Sequence, residues 1–385
     1  MKKSKIVFSF LSILLTAVFL LFVFAPSAVA DLKGADAFSE NIKENISSLS
    51  NVFFDSLNNK NDGSVNNVSE NSKNNTRKYV YAGGTPIGIK LYCDGVIIVG
   101  MDNIKTSDGE VNPAKKSGLQ KGDIIKSING KNVKSNTDVS QEIEKNKGNK
   151  IIFEIYRNGK IQNIEFSSVK DKDGLFRAGL WIRDSSAGIG TLSFITENGC
   201  FASLGHGVCD VDTGELLPLS DGVTTTAVIT GLYKGYEGSA GELCGVLDRD
   251  ETGLIKYNIE TGIYGKMKTE DFKGLTKFPV ASDNEIKKGK AQIITTVSEG
   301  ETGYYDIEIT DIDYKSAEHK NMVIKITDET LKEKTGGIIQ GMSGSPIIQN
   351  GMIVGAVTHV FLNDPTGGYG IFVSSMLKET EKITE

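Results

Sequence analysis

Ser343 stands in Gly341-Met342-Ser343-Gly344-Ser345-Pro346, between the apolar runs Gly337–Gln340 and Ile347-Ile348. A serine framed by glycines is either an ordinary tight turn or a nucleophile held out on a strained one. The second use needs a base, and the chain has 3 histidines. His319 lies in the charged stretch Lys315–Lys320, where a solvated imidazole is expected. His359 lies in the apolar run Met352–Phe361, which reads as a strand. His206 alone follows a strand end and sits in a Gly205-His206-Gly207 loop, so elimination selects it as the base for Ser343.

The spacing around both residues resembles that of trypsin-like peptidases, which carry Gly-Asp-Ser-Gly-Gly-Pro at the nucleophile. Ser343 falls where that nucleophile falls, and Met342 replaces the acidic residue before it. Glycine at 341 and 344 lets the backbone turn sharply and admits a substrate carbonyl. The N–H groups of Gly341 and Ser343 would then share one oxyanion hole. Downstream, a strand through Thr358 and His359, a loop, and Gly367-Gly368-Tyr369-Gly370 follow in the order that walls a substrate pocket in those enzymes. This chemistry requires no metal and no organic cofactor.

Such residues need rigid β-elements to hold them, and composition favours those. There are 43 glycines against 7 prolines, and no long stretch after the N-terminus is dominated by helix formers. The net charge of −6 argues against a nucleic-acid partner, because phosphate binding needs basic patches. Residues 1–30 read as a targeting segment. Lys2, Lys3 and Lys5 precede an uncharged stretch from Ile6 to Ala25, about 20 residues and long enough to cross a bilayer. Ala28-Val29-Ala30 looks like a cleavage site, so the segment is either a cleaved signal or a retained membrane anchor. Residues 31–78 are rich in Asn, Ser, Lys and Asp, and read as a flexible linker. Of the four cysteines (Cys93, Cys200, Cys209, Cys244), Cys200 and Cys209 are close enough in sequence to pair. No C-x-x-C motif points to zinc.

From Tyr79 the chain alternates β-branched runs and turns, the first turn being placed at Asp94-Gly95. A short helix over Pro113–Ser117, a strand to Ile128, an Asn129-Gly130 turn, a helix opened by Ser135 or Asn136, and a hairpin around Asn158-Gly159 follow. Pro113-Ala114, Gly118-Leu119, Gly122–Ile125 and Ile128–Gly130 together resemble a PDZ domain, assigned to residues 79–170. In that family a peptide C-terminus adds as a strand and its carboxylate is held by the amides of a Φ-Gly-Φ loop. Ile87-Gly88-Ile89 fits that loop. A module that only packs on its neighbour is the other reading.

With a peptidase-like region over 176–385, the whole arrangement resembles the stage IV sporulation protein B (SpoIVB) serine peptidases. The strings Gln340–Ile347 and Ala356–Thr366 carry the resemblance. It implies a mainly β chain: an N-terminal membrane segment, an α+β PDZ domain and a trypsin-like double β-barrel. It implies a serine endopeptidase of endospore formation, exported across the forespore membrane and either anchored there or released. Such an enzyme would cleave itself and a membrane-bound regulator between the forespore and mother-cell membranes. Ser343 and His206 carry over as catalytic residues, and the family's acid maps to Asp328, only 15 positions before the serine. Asp306, Asp311 and Asp313 stay open as alternatives, and Asp328 could instead cap the helix that follows it. A PDZ-bearing scaffold with an inactive peptidase region is the alternative function.

Overall fold

A computed structural model describes residues 77–383. The expected targeting segment and most of the expected linker lie outside the described residues. Among those described, no helix is long and apolar enough to cross a membrane.

Two closed antiparallel barrels and one inserted α+β module make up the described chain. Tyr79–Ala82 (β1) and Pro86–Met101 (β2) come first. The module follows as helix α1 (Pro113–Ser117), strand β3 (Ile124–Ile128), helix α2 (Asn136–Asn146) and the hairpin β4 (Ile151–Arg157) and β5 (Lys160–Phe166). The chain then returns through Leu180–Thr196 (β6), Cys200–Ser203 (β7), Leu219–Tyr233 (β8), Glu242–Ile259 (β9) and Gly262–Met267 (β10). Strands β2, β6, β7, β10, β9 and β8 pair in that order, and β8 closes the ring on β2. Gly289–Ser298 (β11), Glu301–Ile312 (β12), helix α3 (Glu329–Thr335) between Met322–Ile326 (β13) and Pro346–Gln349 (β14), Met352–Phe361 (β15) and Asp364–Phe372 (β16) build the second closed barrel. Helix α4 (Val373–Glu381) ends it.

Local chemistry explains these elements. In β4 the alternation Ile151, Phe153, Ile155 inward and Ile152, Tyr156 outward is the period of a half-buried strand. The Phe153 ring meets Phe166 edge-on at 5.0 Å, and burying each phenylalanine contributes about 1.5–3 kcal/mol. Helix α1 has Asn112 as its N-cap, Pro113 at its start and Gly118 in the left-handed region after it. Helix α2 begins on a capping box between Ser135 and Asp138 and buries Val139 and Ile143. Helix α4 buries Val373, Met376, Leu377 and Thr380, one face at helical spacing.

Three expectations are corrected here. The expected start of the PDZ domain at residue 79 does not hold, because the N-terminal strands belong to the first barrel. β1 pairs with β6 (Val80↔Thr196), and β2 is a barrel stave before it enters the PDZ-like module. Asp94-Gly95 is no hairpin turn. β2 continues through it, irregularly paired with β6 there, with Gly95 at φ +106° where any Cβ would lie 2.6 Å from the Ile125 carbonyl oxygen. Ile87-Gly88-Ile89 is not a carboxylate loop. It lies mid-strand, paired to Gly190–Gly188 on one side and Thr226–Thr224 on the other, so it has no free edge. The four cysteines are free, with Cys200 buried in β7 and Cys209 exposed on the loop beyond it.

Candidate active site

The turn that carries Ser343 is fixed from both barrels. Gly341 and Gly344 have φ of +95° and +97°, which side chains rarely adopt. A Cβ on Gly344 would lie 2.0 Å from the Thr191 carbonyl oxygen of β6, so only glycine fits there. Thr191 donates its N–H to the Ser343 carbonyl (3.0 Å) and its hydroxyl to the Gly341 carbonyl (2.7 Å). Gly344 N–H donates to the Val357 carbonyl of β15 at 2.7 Å. Met342 points into the second core, fully buried. Ser345 is also buried and spends its hydroxyl on the Met342 carbonyl at 2.7 Å, so it is not presented to a substrate. Among the described residues, neither the Gly341 nor the Ser343 N–H donates to a protein acceptor. Two free donors two positions apart on a strained turn are what an oxyanion hole requires.

His206 follows β7 on a loop that begins with two left-handed residues, Leu204 (φ +69°) and Gly205 (φ +71°). Leu204 is an apolar residue in a region that costs about 1–3 kcal/mol, a strain commonly stored at functional sites. Asn258 at the end of β9 braces this loop. Its side chain accepts from the Val208 N–H (2.8 Å) and donates to the carbonyls of Val208 and Leu217 (both 2.9 Å). His206 Nδ1 lies 2.9 Å from the Gly207 carbonyl oxygen. A carbonyl can only accept, so Nδ1 carries the proton and Nε2 keeps its lone pair. Burial pushes the pKa of His206 down, against the opposing pull of that carbonyl.

His206 and Ser343 line one cleft of about 580 Å³, together with Gly341, Thr358 and His359. The Ser343 hydroxyl donates to the Thr358 carbonyl at 2.5 Å. The His359 ring lies 4.8 Å, centroid to centroid, from that of His206. His359 is exposed at the cleft rim, yet enough protein crowds its ring that burial first, then the His206 and Lys320 charges, push its pKa down to about 4. Two adjacent imidazoles thus both favour the neutral form.

Asp328 is elsewhere. It is the N-cap of α3, accepting the Leu331 N–H at 2.9 Å, and it does not line the cleft. Asp306 accepts from Gln292, Asp311 pairs with Lys288, and Asp313 accepts the Lys315 N–H. Among the described residues, none of the four makes a hydrogen bond or ion pair with His206.

A second groove, of about 540 Å³, lies between α2 and the start of β6. Val139 and Ile143 line one side, Leu180 and Ile182 the other. Over Leu180–Ile182, β6 pairs with β2 alone, which leaves one edge open. Just before it, Gly179 sits at φ +70°, and among the described residues the N–H groups of Ala178 and Gly179 have no acceptor. Ala178-Gly179-Leu180 is therefore a Φ-Gly-Φ turn with free amides at an open edge, the property that Ile87-Gly88-Ile89 lacks. The "AGLW" string was visible in the sequence, but it lies beyond the expected end of the module.

The model of the SpoIVB peptidase S55 family matches residues 174–377, just over half of the chain, and that of the PDZ domain matches 94–167. Solved structures are less similar. The HtrA-type protease AlgW, with a decapeptide, is 11% identical over 60% of this chain and 55% of its own, with a TM-score of 0.32. The Rv3671c protease from M. tuberculosis in its active form is 15% identical over 51% of this chain and 74% of its own, with a TM-score of 0.30. The PDZ domain of an SdrC-like protein from Listeria monocytogenes is 24% identical over 23% of this chain and 87% of its own, with a TM-score of 0.19.

Proposed function

This chain belongs to the SpoIVB peptidase S55 family and is a serine peptidase; from that premise we propose that it is an endopeptidase of endospore formation with Ser343 as nucleophile and His206 as general base. The observation that carries the site assignment is the Ser343 turn, with its two free N–H groups, in one cleft with a histidine whose Nε2 is unprotonated. When substrate enters, the Ser343 hydroxyl leaves the Thr358 carbonyl and gives its proton to His206 Nε2 as its oxygen attacks the scissile carbonyl. The resulting oxyanion is received by Gly341 and Ser343 N–H. His206 returns the proton to the leaving amine, and water then hydrolyses the acyl-enzyme. The Gly207 carbonyl holds the tautomer, the orienting role that a carboxylate fills in a triad.

The proposed substrates are the chain itself and a membrane-bound regulatory protein, met between the forespore and mother-cell membranes after export through the N-terminal segment. What supports this is the family's sporulation name and the apolar segment over residues 6–25. A cut within the polar stretch of residues 31–78 would separate that segment from the folded part, and a tethered substrate is presented at high effective concentration. The groove beside α2 would take a peptide C-terminus by strand addition. The inactive-scaffold alternative is favoured by one observation, the Ser343 hydroxyl resting on Thr358 and not on His206. Labelling with a fluorophosphonate separates the two. The enzyme reading requires modification of Ser343 in the wild type and none in Ser343→Ala. Sequencing the N-termini of products from the same pair tests self-cleavage, since identical fragments from both would assign the cut to another protease.

A further inference from the structure

The loop that carries His206 runs from Leu204 to Leu217 with almost no regular structure, so something else must set its position. Asn258 ties it at Val208. The second tie is ionic. Asp210 is the organiser of the loop's far half: its carboxylate accepts the N–H groups of Asp212 (3.0 Å) and Thr213 (2.9 Å), and its side chain is 0% exposed. A buried carboxylate needs a countercharge, because removing one partner of such a pair leaves an uncompensated charge in low dielectric. Arg183 supplies it. One guanidinium nitrogen pairs with Asp210, and the other donates to Asp212 at 2.8 Å. Burial opposes ionisation of Asp210, but the Thr213 N–H and the Arg183 charge outweigh it and hold the carboxyl below its ordinary range.

Arg183 belongs to β6, one residue after the groove edge Leu180–Ile182. Its other neighbour, Asp184, accepts the Asn136 N–H at the start of α2 (2.8 Å). Five consecutive residues thus form the groove edge, tie the groove helix and anchor the histidine loop.

We propose that Arg183 is a positioning residue for His206, holding the histidine loop in catalytic register through its forked ion pair with Asp210 and Asp212. The proposal rests on the serine-peptidase reading and names a residue that this reading does not need. Arg183→Met should fold but leave the loop loose, and a displacement near 1 Å at a reacting group costs about 100-fold. Arg183→Lys keeps one charge without the fork and should fall between.

The test uses the full-length protein and measures the second-order rate of fluorophosphonate labelling at Ser343 between pH 5 and 9. Rates are normalised to the folded fraction by near-ultraviolet circular dichroism, with Ser343→Ala as the unlabelled control. Arg183→Met is expected to label about 10- to 100-fold more slowly, with its pH midpoint moved up toward that of an ordinary imidazole as water reaches His206. Asp212→Asn, whose side chain is 45% exposed and which leaves the buried pair intact, should slow labelling a few-fold. A purely structural ion pair would change the melting temperature and leave both rate and midpoint of the folded molecules alone. Labelling of folded Arg183→Met within twofold of wild type, at the same midpoint, overturns the proposal. Should Arg183→Met not fold, wild-type rates in both Arg183→Lys and Asp212→Asn overturn it equally. If the wild type itself does not label, the peptidase reading fails and this inference falls with it.

Discussion

Neutralising Asp328 decides whether this residue serves catalysis or a helix. As the N-cap of α3, its carboxylate accepts the Leu331 N–H at 2.9 Å, and its second oxygen receives only a long contact, 3.4 Å, from Asp306 N–H. Asparagine caps as well as aspartate, whereas alanine costs about 0.5–2 kcal/mol. Helix α3 leads through Gly336 and Gly337 into the Ser343 turn, so some fraying would reach Ser343. Asp328→Asn should therefore melt close to wild type and keep activity within about threefold, since the cap bond survives. Asp328→Ala should lose about 1 kcal/mol, roughly a fivefold fall in the folded-to-unfolded ratio, with most activity per folded molecule retained. A triad acid behaves otherwise: replacing it with the neutral amide costs about 10⁴ in rate with the geometry intact. The assay pairs thermal melting with fluorophosphonate labelling of the same samples. A folded Asp328→Asn protein that labels a thousandfold or more slowly would refute the cap assignment and place a carboxylate on His206 in the working enzyme.

Ser345→Ala should keep the labelling rate and lose about 1 kcal/mol, one buried hydrogen bond to the Met342 carbonyl, as read by chemical denaturation. His206 and His359 have lowered pKa values in the folded protein, so the unfolded chain binds more protons as pH drops below 6.5; stability should fall between about pH 6.5 and 4, and urea titrations at several pH values check the sign. His359→Gln should weaken that fall. Gly179→Val would put a Cβ 2.6 Å from the Asp102 carbonyl oxygen at a positive φ, so binding of peptides with a free C-terminal carboxylate should be lost, measured against the same peptides amidated. A fragment starting at residue 176 should not fold, because the first barrel would lack β2; circular dichroism beside the fragment from residue 77 tests it.

The glycine-framed turn at Ser343 is legible because its evidence is local. Glycines at 341 and 344 announce the φ values they hold, and the strand through Thr358 follows at the spacing a pocket wall needs. Helix α2 was legible for the same reason, since Ser135 and Asp138 write their capping box into four residues. The errors share the opposite cause. Ile87-Gly88-Ile89 and Ala178-Gly179-Leu180 are alike as strings, and only pairing across the sheet tells which has a free edge. That pairing joins residues about a hundred positions apart, which no local pattern encodes. Asp328 offers a local reading as a cap, and the resemblance offers it as the acid. The cap depends on its own helix, while the acid depends on where His206 lies in space. Arg183 and Asp210 were invisible because the need for a countercharge arises only once Asp210 is buried.

The inserted topology gives these separate observations one physical basis. A PDZ module joined by a linker could move independently of its neighbour, as domains in one chain commonly do. Here the module enters through β2 and leaves through β6, and both strands are adjacent staves of the first barrel. Their ladder is continuous from Leu180↔Met101 in the module to Thr191↔Pro86 in the barrel, broken only by the irregularities near Trp181 and Arg183. The same β6 reaches the Ser343 turn at Thr191 and the His206 loop at Arg183. A strand that adds at Leu180–Ile182 would thus pair with a backbone whose later residues hold both the Ser343 turn and the His206 loop. Since packed interiors move between discrete arrangements and do not deform smoothly, the natural place for any such shift is the irregular pairing at Arg183. That residue also carries the ion pairs that reach the histidine loop.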